Sequence, residues 1–334
     1  MFNRRNLLSL AAVSVLAIGA GLPAFAQDIT IKFSHVVAPD TPKGKGADKF
    51  KELAEQYTEG KVKVEVYPNS QLYKDKEELE ALQLGSVQML APSLAKFGPL
   101  GVPQFELFDL PMLFQNRDEL RKITEGEVGQ SLFAMLQDKG IIGLAYWDNG
   151  FKIMTANSPV VVPDDFLGLK MRIQSSKILE EQMNALGAVP QVMAFSEVYQ
   201  GLQTGVVDGT ENTPSNTYTQ RVNEVQKYGT VSNHGYIGYA VIVNKDFWDG
   251  LPEDVRGQLD QAMAEATEYA NSIAEEENKA ALEAMRAAGT TEFHDLTDEE
   301  RAQWAEVLRP VHDEMADRIG ADLIQQAYDA IAAN

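Results

Sequence analysis

The feature that most narrows the fold is a strand–helix alternation that starts near residue 27 and repeats. From Gln27 to Val37, the apolar Ile29, Ile31 and Phe33 alternate with Thr30 and Lys32, the period of a half-buried strand. Thr41-Pro42 then opens a helix, with proline at a first-turn position, and Phe50, Leu53, Ala54 and Tyr57 give that helix its apolar stripe. Val62 to Tyr67 reads as a second strand, Asp75 to Leu84 as a charged helix closed by Gly85, and Val87 to Ala91 as a third strand. Such an order predicts an α/β layer with a largely parallel sheet.

The alternation continues with strands at Ile141–Trp147, Lys152–Thr155, Leu169–Ile173, Val189–Met193, Val206–Asp208 and Ile237–Asn244. Helices fall between them at about Ser176–Leu186 and from a Ser196 cap to Gly205. After Pro252 the pattern changes. Val255 to about Ala288 holds few breakers and many Ala, Glu and Met, far longer than an average helix of about 11 residues. Its amphipathic spacing persists, so it is expected to pack across two units. Thr297 and Glu300 form a capping box for a later helix. The length suggests two domains at roughly 150 residues each. With no linker-like tract between them, the chain is expected to cross between domains more than once.

The first residues predict export. Arg4 and Arg5, the apolar run Leu7–Leu22 and the small-residue break Pro23-Ala24-Phe25-Ala26 have the order of a secretory signal cleaved after Ala26. The Arg4-Arg5 pair is compatible with either general or twin-arginine export. No cysteine is present, so disulfides and thiolate metal sites are excluded. The formal charge is −20, and the leader contributes only basic residues to it. That argues against nucleic acid and anionic membrane as partners. It also means that any anion site must be built locally from basic side chains and helix N-termini.

Few catalytic signatures survive inspection. Ser93-Leu94-Ala95-Lys96 fits the S-x-x-K pattern of serine acylases, but the accompanying S-D-N and K-T-G are missing. Gly44-Lys45-Gly46 lacks the rest of a nucleotide-loop spacing. The histidines His35, His234, His294 and His312 are scattered, and no metal or other cofactor is called for. Polar clusters do gather at strand ends, where open α/β sheets bind ligands. These are Asn149-Gly150-Phe151-Lys152, Lys170 to Ser175 with Arg172 inside an apolar strand, Ala194-Phe195-Ser196, and Thr210 to Thr213. The planar fork of an arginine fits a carboxylate. From periodicity alone, Arg172 is either such a clamp or one half of a structural ion pair.

Several segments carry a family resemblance across essentially the whole mature chain. They are Lys32-Phe33-Ser34-His35, Thr41-Pro42-Lys43-Gly44, Tyr67 to Leu72, Phe108-Asp109-Leu110-Pro111, Gly168 to Arg172 and Val207 to Asn212. With them the sequence resembles the solute-binding subunits of TRAP (tripartite ATP-independent periplasmic) transporters. Trp147 to Lys152 and Ser232 to Tyr236 resemble the branch that takes the four-carbon dicarboxylates malate, succinate and fumarate. The resemblance implies a two-domain periplasmic binding protein of the type II-like class, with a cleft between its domains and a long hinge-spanning helix. Expected boundaries are 27–149 plus about 238–277 for one domain, and about 150–237 plus 278–334 for the other. It places the carboxylate-binding arginine on Arg172, a second basic contact on Lys152, a stacking aromatic on Phe195 and an amide on Asn212. Lys43 and His35 are candidates for the far carboxylate, followed by Ser93, Trp147 and Tyr239. The implied partner is a TRAP membrane permease, and the expected state is a monomer in the periplasm. A 2-oxo acid, sugar acid or aromatic acid is the alternative ligand, and a periplasmic acylase using Ser93 and Lys96 the alternative activity.

Overall fold

A computed structural model describes residues 29–333; the expected leader, residues 1–26, lies outside the described residues. The strands in it are β1 (Ile29–Ser34), β2 (Val62–Tyr67), β3 (Met89–Leu90), β4 (Ile141–Phe151), β5 (Ile153–Ala156), β6 (Lys170–Ile173), β7 (Val189–Val192), β8 (Gly209–Asn212), β9 (Tyr228–Val231), β10 (Tyr236–Asn244) and β11 (Glu292–Asp295). They form two sheets, ordered β2-β1-β3-β10-β4 and β11-β9-β5-β8-β6-β7. In the first, β1 runs parallel to β2 and β3, while β10 is antiparallel to β3 and β4. In the second, β6 runs parallel to β7 and β8, and β5 is antiparallel to β8 and β9.

The chain passes between the sheets three times. β4 leads into β5 through the single residue Lys152, and β9 returns to β10 through Ser232–Gly235. These two crossings are bonded to each other: Lys152 N–H donates to Gly235 O at 2.9 Å, and Asn233 N–H to Lys152 O at 3.1 Å. The third crossing is the helix Glu253–Ala288. At 1.5 Å per residue it is about 54 Å long, enough to span both lobes. Its first half packs on the helix Pro42–Tyr57 and on β4, and its second half meets the short helix Pro214–Thr219. Alanines 262, 266, 270 and 274 line the buried face and allow close approach. A Cβ on Gly46 would come within 2.8 Å of Ala270 Cβ, so the two helices touch nearly backbone to backbone there.

Packing explains the strongest strand in the sequence. All of β10 is buried, because both faces of the first sheet are covered. Ile237, Tyr239, Val241 and Val243 face Phe33, Phe50, Trp147 and the long helix. Tyr236, Ala240 and Ile242 face Phe108, Leu132 and Ile141. The second lobe has its own core around Met154, Phe166, Met171, Leu179, Trp304 and Leu308. No described helix is long and apolar enough to cross a membrane.

Local departures from the sequence reading have side-chain causes. The helix expected from Asp75 begins only at Glu78, because Asp75 turns away to meet Lys96 and the Phe195 N–H. Ser196 does not cap a helix; it sits inside a 3₁₀ turn, Phe195–Glu197. The strand expected at Val206–Asp208 starts at Gly209 instead. The N–H groups of Val206 and Val207 fold back onto Gly201 O, and the Asp208 carboxylate accepts from Lys170 N–H at 2.8 Å. The Thr297–Glu300 capping box forms as expected.

Candidate functional site

A narrow cleft lies between the lobes where the crossings meet. Val36, Val37, Lys43, Asp75, Ser93, Lys96, Ile237 and Tyr239 line it from the first lobe, and Arg172, Gln174, Phe195, Asn212 and Asn216 from the second. Its cavity is about 20 Å³, room for little more than one or two waters. A larger groove of about 570 Å³ lies behind Asn149, lined by residues that include Phe151, Tyr236 and Leu282. Its arginine, Arg117, is committed to Asp148 at 2.9 Å and Glu275 at 3.1 Å.

Arg172 is buried on β6, where strand alternation alone would give an apolar residue. Its Nε–H and one Nη2–H donate to Met193 O at 3.0 and 2.8 Å. That side of the fork is fixed, and the Nη1/Nη2 end remains for the cleft. No carboxylate pairs with it among the described residues, which decides against a structural ion pair. Burial pushes its pKa down, with Asp75 and Glu211 opposing. The Phe195 ring centroid lies 6.0 Å from its guanidinium carbon.

The amides beside it are polarised the same way. Asn212 Oδ1 accepts from Thr213 N–H at 2.9 Å and from Asn216 Nδ2 at 3.0 Å. Its own Nδ2 has no acceptor among the described residues, so the cleft meets a donor. Tyr239 Oη accepts from Asn149 Nδ2 at 2.8 Å and from Asn216 Nδ2 at 3.2 Å. Both lone pairs are then used, and its hydrogen is left to give.

Lys43 sits in the first turn of its helix, fully buried. Its Nζ donates to Ala91 O at 2.9 Å and stands 3.8 Å above the Tyr239 ring centroid. Burial, aided by the Lys96 cation, pushes its pKa down to about 7. His35 does not line the cleft. Burial, with Lys43 nearby, drives its pKa down to about 3, so it stays neutral. Ser93 lines the cleft and bridges to Tyr239.

Two expected contacts stand elsewhere. Lys152 is wholly buried at the crossing and pairs with Glu211 at 2.6 Å. Glu211 also accepts from Gln182 at 2.8 Å and meets His234 Nε2 at 2.8 Å. Burial opposes its ionisation, but Lys152 and His234 hold its carboxyl well below the usual range. Trp147 packs on Phe33 and Gly46 and donates its Nε1–H to Thr267 at 2.8 Å, away from the cleft.

Two wall residues carried no ligand role in the sequence reading. Asp75 spans the cleft, held by Lys96 and accepting the Phe195 N–H. Burial opposes its charge, but Lys96 outweighs it and keeps its pKa at about 2. Lys96 also meets the buried Glu78 at 2.9 Å. Burial disfavours the Lys96 charge, yet these two carboxylates raise its pKa above the usual value. The Lys96 ammonium is thus engaged by two carboxylates rather than by Ser93.

The model of the family "Bacterial extracellular solute-binding protein, family 7" matches residues 33–318. The chain belongs to this family. It is 71% identical over 332 residues to the C4-dicarboxylate-binding periplasmic protein DctP of Rhodobacter capsulatus, covering 99% of this chain and 100% of that one. It is similar to the crystal structure of a TRAP periplasmic solute-binding protein from Sulfurospirillum deleyianum with bound succinate. There the identity is 47% and the TM-score 0.88, over 91% of this chain and 99% of that one. A Pseudomonas aeruginosa TRAP solute-binding protein with bound L-malate is 43% identical, with a TM-score of 0.84 over 86% and 99% of the two chains. The two-domain α/β architecture of this chain is thus that of the TRAP periplasmic binding proteins.

Proposed function

We propose that this protein captures a four-carbon dicarboxylate (succinate, malate or fumarate) in the interlobe cleft and delivers it to a TRAP-type membrane permease. The observation that carries this reading is the donor-rich polarity around Arg172. The free end of its fork, the Asn212 amide, the Tyr239 hydroxyl and the Lys43 ammonium all turn hydrogen toward one narrow space. Among the acceptors on its walls, the Asp75 carboxylate is held by Lys96 and the Phe195 N–H, and the Asn212 and Tyr239 oxygens are filled by neighbouring N–H groups. Two cations of unpaired type, Arg172 on one lobe and Lys43 on the other, suit a dianion with a charge at each end. Each charge-assisted bond contributes about 1.5–3 kcal/mol net, so a ligand of about 8 heavy atoms is within reach of micromolar affinity, which requires about −8 kcal/mol.

Phe195 covers the carbon chain and excludes water, while Ser93 supplies a further hydroxyl. Lys152 acts behind the site through Glu211 rather than on the ligand. Because the cavity is smaller than a four-carbon acid, the lobes part to admit it and close again, and contacts from both lobes favour the closed state. The lobes are assigned as 27–149 plus about 238–277, and about 150–237 plus 278–334, except that the last helix, Ala321–Ala332, packs back on the core of the first lobe. The protein works as a monomer in the periplasm after removal of residues 1–26, and it binds without turnover.

A thermal-shift panel of dicarboxylates, 2-oxo acids, sugar acids and aromatic acids, followed by calorimetry on the hits, tests the ligand class. A ligand selective for the native state raises its apparent stability. The four-carbon acids are expected to give the largest shifts, and Arg172→Ala to lose binding. Near-wild-type succinate affinity in Arg172→Ala removes the site assignment.

A further inference from the structure

Asn149 is the last polar side chain of β4 before the crossing and is almost fully buried, yet it does not line the cleft. Its amide is fixed at both ends. Oδ1 accepts from Ser215 Oγ at 2.8 Å and, more weakly, from Asn278 Nδ2 at 3.5 Å. Nδ2 donates to Tyr239 Oη at 2.8 Å. Asn278 belongs to the long helix and also donates to Asn149 O at 2.8 Å, while its own Oδ1 accepts from Ser215 N–H at 2.9 Å. Tyr239 and Ser215 are hydroxyls that could serve either orientation of the Asn149 amide, but turning it over would set its NH₂ against the Asn278 Nδ2, whose own orientation is fixed by Asn149 O and the Ser215 N–H, so Asn278 opposes the flip.

This arrangement decides what Tyr239 can do. A phenol has one hydrogen to give and two lone pairs to receive with. Asn149 and Asn216 fill both lone pairs, so the hydrogen has only the cleft to enter. If Asn149 presented an oxygen, Tyr239 would donate to it and offer the cleft a lone pair instead. An anionic ligand distinguishes those two states sharply: one is a hydrogen bond and the other a repulsion. We propose that Asn149 is a positioning residue which, without touching the ligand, holds the Tyr239 hydroxyl as a hydrogen donor to a ligand carboxylate. Through Asn278 it ties that orientation to the long helix that spans both lobes. The inference rests on the reading of the cleft as a dicarboxylate site.

The test is a double-mutant cycle read by calorimetry with succinate on the full mature chain. Tyr239→Phe removes the donor and is expected to weaken binding about tenfold, as for one hydrogen bond to a charged group. Asn149→Ala is expected to weaken binding by a similar factor when Tyr239 is present, and by less than about twofold in the Tyr239→Phe background, because the two act through one bond. Ser215→Ala releases the other end of the amide and should repeat the pattern more weakly; it serves if Asn149→Ala does not fold. Equal losses in the two backgrounds would make Asn149 a general structural residue and overturn the proposal, as would wild-type affinity in Asn149→Ala. Wild-type protein that binds no succinate would instead sink the reading of the cleft, and the positioning role with it.

Discussion

Lys43 offers the most informative perturbation, because pH alone changes its charge. Its ammonium is enclosed by Ala91 O and the Tyr239 ring, with Lys96, Glu78 and Asp75 as charged neighbours and neutral His35 beside it. Burial and the Lys96 cation hold its pKa near 7 in the free protein. A ligand carboxylate against it favours the charged form and raises that pKa. Above pH 7, binding therefore takes up a proton, approaching one per ligand, and affinity falls by about tenfold per pH unit until the bound-state pKa is reached. Below pH 7 the lysine is already charged and affinity levels off. Calorimetry at pH 6–9, in buffers of different ionisation heats, reads both the slope and the proton. Lys43→Met should bind more weakly at pH 7 and lose the slope. The stability of the free protein has the opposite sign. Because the lysine pKa is depressed by folding, its penalty is full below pH 7 and is relieved as pH rises toward 10.5, so Lys43→Met stabilises more at pH 6 than at pH 9. An affinity that is flat from pH 7 to 9, with buffer-independent heats, would refute this account of Lys43.

Other expectations follow from the crossings. Lys152→Ala leaves Glu211 buried with only His234 and Gln182, and should lower unfolding stability by about 3–5 kcal/mol in urea titration; intact stability would contradict its assignment as a structural ion pair. Gly46→Ala pushes a methyl against Ala270 and Trp147, and should cost about 1–3 kcal/mol by the same measurement. Trp147→Phe removes the bond to Thr267 and should lower stability by about 1 kcal/mol while leaving succinate affinity within about twofold, since the indole is away from the cleft.

What the sequence made legible follows from the range of the physics. Alternation in β1 and the apolar run of β10 are local consequences of burial on one or two faces, so they stood out. The long helix was visible because its alanines repeat over many turns. Arg172 was visible because an arginine inside an apolar strand needs a reason. The partner that separates Lys152 from Arg172 was not legible. Lys152 meets Glu211, 59 residues away, at the tip of β8, and no local pattern distinguishes that ion pair from a ligand contact. Trp147 misled for the same reason. It is paired directly with Tyr239 across β4 and β10, and only the close approach of Gly46 and Phe33 keeps it in the core. Asp75 reads as an ordinary helix-start acid until the fold brings Lys96 and the Phe195 N–H to it. The orientation of the Tyr239 hydroxyl is set by three amides from separate strands and helices, and thus has no trace in any short window of sequence.

The most direct measurement is a crystal structure of the mature chain grown with succinate. One carboxylate is expected on the free Nη1/Nη2 end of Arg172 and on Asn212 Nδ2, and the other on Lys43 with the Tyr239 hydroxyl, the carbon chain lying against Phe195. Succinate bound in the groove behind Asn149, or held by Lys152 with Arg172 unengaged, would contradict the account.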